Sequence, residues 1–88
     1  MAYNDTHRIE DAEFEGDTSS LTGVAVYDYT VDGDEVTNVS LSHVEMDGAR
    51  LSRDWMVTMM SNAVMERAEY CAWEDLQELH DAGELNAI

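Results

Sequence analysis

The sequence holds no lysine, no proline and a single cysteine, Cys71, in 88 residues. Its basic residues are four arginines: Arg8, Arg50, Arg53 and Arg67. Against 20 acidic residues they leave a net charge of −16. Each shortage excludes something. Binding to nucleic-acid phosphates needs a basic stripe, and none exists. Adsorption to an anionic membrane is disfavoured by the same sign of charge. No apolar run approaches the length of a membrane-spanning helix. Met1 to Arg8 lacks the basic and apolar regions of a secretory signal. A lone cysteine makes no internal disulfide, which fits a reducing, cytoplasmic setting.

What remains is the size and hydrophobicity of one small domain. Hydrophobic residues make up 44% of the chain, near the globular average, which argues against wholesale disorder. The acidity is not a tail. Residues 1–20 carry a net charge of −5, residues 21–52 of −5 and residues 53–88 of −6. A function built on this charge must therefore use the folded body.

The pattern predicts an α+β domain over residues 21–88, preceded by an irregular or partly ordered acidic arm, residues 1–20. The weak alternation of Glu10–Glu15 leaves open a third, short edge strand there. Residues 22–46 read as a β-hairpin. Two β-rich runs flank Val31-Asp32-Gly33-Asp34, and Asp-Gly is a favoured two-residue hairpin loop. With Asp32 and Gly33 as the loop, Val26 faces Val39 and Val24 faces Leu41. Val24, Val26, Val39 and Leu41 then form the core face, and Ala25, Tyr27 and Tyr29 turn towards water. A second turn is expected at Met46–Ala49.

Residues 52–82 are expected to be helical, as one bent helix or two consecutive helices covering the hairpin. Ser52 is the expected N-cap, Asp54 suits the first turn, and Gly83 can close the C-terminus. Val57, Met60, Val64, Ala68 and Cys71 form an apolar stripe at helical spacing. Asp75 would interrupt that stripe, so a bend near Tyr70–Trp73, with helices over 53–71 and 73–82, is expected. Residues 85–88 read as a frayed end.

Catalytic and cofactor chemistry find no motif. His7, His43, His80 and Cys71 fall at no metal-ligand spacing, and the thiol reads as a small buried hydrophobe. Asp28, Thr30, Asp32 and Gly33 echo a calcium loop, but its last ligand position is Val39, where a bidentate carboxylate is needed. No nucleophile elbow is present. Met60 and Met65 read as core. Met56 and Met59, beside Trp55, suggest a partner or homodimer patch.

Glu74, Glu78 and Asp81 would stand in a row along a helix, about 6 Å and 4.5 Å apart in rise. DNA phosphates repeat every ~3.4 Å along a strand. In length, uniform acidity and small αβ body the chain resembles phage- or mobile-element-encoded inhibitors of the anti-CRISPR and anti-restriction type. That resemblance implies a non-enzymatic protein, without cofactor, that fills a basic nucleic-acid groove of a host nuclease or CRISPR or restriction complex. Asp32, Asp34, Glu35, Glu66, Glu69, Glu74, Glu78 and Asp81 are the expected contacts, with Tyr70 and Trp73 as aromatic anchors. Two alternatives compete. One is a small interaction module of a salt-adapted organism, and the other is an adaptor or antitoxin-like partner.

Overall fold

The computed structural model of the protein describes residues 2–84. An antiparallel sheet of four strands, β1 (Ala2–Glu15), β2 (Ser20–Asp32), β3 (Glu35–Met46) and β4 (Ala49–Ser52), is followed by two helices, α1 (Arg53–Met59) and α2 (Asn62–Asp81). The strands lie in sequence order, each paired with the next. The fold is α+β, with both helices packed on the same face of the sheet.

Residues 2–15 are not an irregular arm. They pair with β2 from Ala2↔Asp32 to Glu15↔Ser20. Period-two alternation is broken there by a bulge between Ile9 and Ala12, where Asp11 takes φ +54. Aspartate tolerates this left-handed conformation better than most residues. The bulge turns Ile9, Ala12 and Phe14 all inward, and Phe14 is fully buried. A strict alternation count cannot see this, which is why the strand looked short.

The β2–β3 loop is Gly33-Asp34, one residue later than expected, between the pair Asp32↔Glu35. That moves each cross-strand partner by two residues and leaves side-chain parity unchanged; the buried face is instead the one expected to meet water. Ala25, Tyr27, Tyr29 and Val31 therefore form the core face of β2, and Val26 faces Arg8 and His43 instead of Val39. The observed register has a clear advantage: it buries two tyrosine rings and pairs Val31 with Val36, more apolar area than the two valines expected there. Register shifts in the β2–β3 ladder, with Asn38 at φ +54, then bring Val36, Leu41 and Val44 inward. The second turn is Asp47-Gly48, as expected, but it leads into a fourth strand.

Ser52 caps α1, its hydroxyl accepting from the Trp55 amide. The helix breaks at Met60–Ser61 rather than near Tyr70–Trp73. Ser61 caps α2 by accepting from Val64 N–H. Restarting at Asn62 lets Met65, Ala72 and Leu76 point into the core while Asp75 stays exposed. The Asp75 anomaly thus marks a helix whose buried seam is rotated away from the expected stripe. Gly83, at φ +76, closes α2: its N–H donates to His80 O and that of Glu84 to Leu79 O. Met56 is fully buried, so it forms no outward patch with Met59 and Trp55, whereas those two are exposed. Cys71 is exposed, not a core thiol. Residues 85–88, read as frayed, lie outside the described residues.

Candidate partner-binding surface

Three side chains of α2 lock the helix to the β2–β3 hairpin. β4 is short and pairs only with residues 43–46 of β3. The first half of β3 is therefore a sheet edge with backbone groups to satisfy. Gln77 Oε1 accepts from Val36 N–H at 2.9 Å, and its Nε2 donates to Asp34 O at 3.1 Å. Trp73 Nε1 donates to Val36 O at 2.6 Å. His80 Nε2 donates to Gly33 O at 2.9 Å. Helix and hairpin tip are thus held as one unit.

Glu69 makes a fourth tie, and it departs from the expected role. Its Oε2 accepts from Leu41 N–H at 2.7 Å and from Arg53 Nε at 2.9 Å, while Oε1 accepts from Arg53 Nη2 at 3.1 Å. It joins α1, α2 and β3 from a half-buried position and has no free oxygen face for a partner. Burial pushes the nearby Tyr27 hydroxyl up to about 12 from 10.0, helped by the negative charge of Glu69, Cys71 and Asp75.

The other expected contacts stay at the surface. Asp32, Asp34 and Glu35 cluster at the hairpin tip, and Glu66, Glu74, Glu78 and Asp81 project from α2, all exposed. Among the described residues, Glu66 accepts only from Asn62, and Asp81 only from Gln77. Tyr70 and Trp73 stack with ring centroids 5.9 Å apart and planes at 29°. Tyr70 is 60% exposed, while Trp73 is 36% exposed because its indole N–H is turned to β3. Trp73 is therefore a clasp with one open ring face, not a free anchor.

Of the 20 acids, only Glu45 and Glu69 form ion pairs among the described residues, and the other eighteen are all exposed. The sheet face opposite the helices carries Arg8, Arg50 and His43 beside Asp28, Asp32, Glu35 and Glu45, so it too is acidic. Glu45 there accepts from His43 Nε2 and Arg8 Nη1, which holds its carboxyl below the usual range. Further exposed acids lie on α2, at the hairpin tip and along β1.

Gln77 and His80 carry no signal in the sequence that reveals their role. Both fall on a polar stretch of helix, and only the hairpin's position gives them partners. Among the described residues no three His, Cys, Asp or Glu side chains converge as metal ligands. No described helix is long and apolar enough to cross a membrane.

The fold and surface define a small α+β domain with an acidic surface and a helix locked to its β2–β3 hairpin. No protein-family model, curated protein or solved structure matches the chain.

Proposed function

We propose that the protein is a non-enzymatic, cytoplasmic inhibitor that presents its acidic helix–hairpin face to the basic groove of a nucleic-acid-handling protein, in the manner of anti-CRISPR and anti-restriction proteins. The observation that carries this reading is the lock between α2 and the hairpin tip. Gln77, Trp73 and His80 hold the tip carboxylates and the helix carboxylates on one frame. A preorganised charge array loses little entropy on binding, unlike acids on a floppy tail. Opposite charge steers association and makes it salt-sensitive.

The test is capture from a heparin-binding protein fraction. The immobilised protein should retain proteins that duplex DNA displaces. A variant with Asp34→Asn, Glu35→Gln, Glu74→Gln and Asp81→Asn should lose them while keeping its circular dichroism. Capture indifferent to both DNA and the variant would refute the proposal.

A further inference from the structure

The single long helix leaves part of the sheet's inner face uncovered. Strands spaced about 4.8 Å apart make the four-stranded sheet about 19 Å wide, and a helix is about 10 Å across, so α2 alone cannot cover it. It leans on β3 and scarcely reaches β1. Two cavities, of about 430 and 420 Å³, lie end to end between β1 and α2 and share Ile9 and Asp75. Ile9, Ala12 and Phe14 form the β1 side. On α2 the lining residues Val64, Ala68, Cys71, Asp75, Leu79 and Ala82 recur at steps of four, three, four, four and three. This is the seam by which one helix receives another, and it is separate from the buried seam of Met65, Ala72 and Leu76. From Val64 to Ala82 it runs about 27 Å. Small side chains at Ala68, Cys71 and Ala82 allow close approach.

The rim decides the occupant. Glu13 and Glu15 on β1, and Asp75, Glu78 and Glu84 on the helical side, stand against Arg8, His7 and Arg67. A second copy of this chain would bring a further −16 against that rim. An anionic lipid surface is repelled likewise.

We propose that the trough between β1 and α2 receives an amphipathic basic helix of the partner protein, with its apolar stripe on Ile9, Ala12 and Ala68 and a lysine or arginine opposite Asp75. This rests on the reading of the chain as an acceptor of basic partners, but it assigns contact to a different surface from the α2–hairpin face.

Cys71 lines the trough and is the only thiol, so it reports occupancy directly. The probe is an amphipathic Leu/Lys helical peptide, with a Leu/Glu peptide of the same periodicity as control. Labelled-peptide anisotropy measures binding, and N-ethylmaleimide alkylation of Cys71 locates it. With the Leu/Lys peptide at ~10 times its Kd, alkylation should slow about tenfold, as the free fraction falls. The Leu/Glu peptide should give no protection. Asp75→Arg, a change at an exposed position, should weaken binding and restore alkylation, and Ala68→Glu should do the same. The variant carrying Asp34→Asn, Glu35→Gln, Glu74→Gln and Asp81→Asn should keep the protection. Peptide binding that leaves Cys71 as reactive as before, or protection that survives both Asp75→Arg and Ala68→Glu, overturns the trough assignment without touching the helix–hairpin reading. Absence of binding overturns it as well.

Discussion

At the residue scale, Glu69 carries more structural weight than any other acid in the chain. It satisfies the Leu41 amide and binds Arg53 through two oxygens, at a position 14% exposed. Removing it strands both a β3 edge amide and a half-buried guanidinium. Glu69→Ala should lower unfolding free energy by about 2–3 kcal/mol, read by urea titration. A change under about 0.5 kcal/mol, the usual range for surface sites, would show the pair to be incidental. Tyr3 is the opposite case. Its buried hydroxyl has no hydrogen-bond partner among the described residues, and the ring packs against the Tyr29–Val31–Val36–Leu76 cluster. The cost of that orphan group is borne by the apolar contacts of the ring.

At the element scale, α2 acts as a cover for an otherwise open strand. Edge strands invite pairing with other chains, and proteins blunt them with charge, bulges or a covering element. Here Gln77, Trp73 and Glu69 occupy the Val36 and Leu41 edge groups directly. Gln77→Ala should leave the fold intact but raise the Val36 amide exchange rate about tenfold, equivalent to ~1.4 kcal/mol of lost protection. Exchange unchanged at Val36 would mean that the helix–hairpin lock is not held by this side chain. The same lock is what makes the hairpin-tip acids and helix acids one array.

At the scale of the whole molecule, charge opposes compaction. The accessible surface is 5749 Å², above the roughly 5,200 Å² that size scaling gives for this mass. The 40 × 25 × 19 Å shape, elongated along its strands, accounts for the excess and lets like charges stand further apart. Folding should nevertheless strengthen as salt screens the repulsion. The expected outcome is a cooperatively folded chain in dilute buffer whose melting temperature rises with KCl, followed by circular dichroism. A chain that folds only in molar KCl would assign the acidity to a salt-adapted habitat and remove the main support for a basic partner.

Composition alone determined the sign of the protein's own net charge, because no arrangement of four arginines balances 20 acids. Local chemistry determined the Ser52 cap, the Asp47-Gly48 turn and the Gly83 stop, since each depends on residues within a few positions. The α+β class followed from the change in hydrophobic period between hairpin and helix. Tertiary packing decided the rest. Bulges at Asp11 and near Asn38 cancelled simple alternation, so the faces of β2 and the extent of β1 were fixed only by which register buried Phe14, Tyr27 and Tyr29 together. The rotation of α2 that hides Leu76 and exposes Cys71 depends on where Ser61 restarts the helix against the sheet. Gln77, His80 and Glu69 gained their roles the same way. Their partners on the β2–β3 hairpin lie 28 to 47 residues away, and long-range proximity of that kind is set by how the layers stack, not by anything local to the sequence.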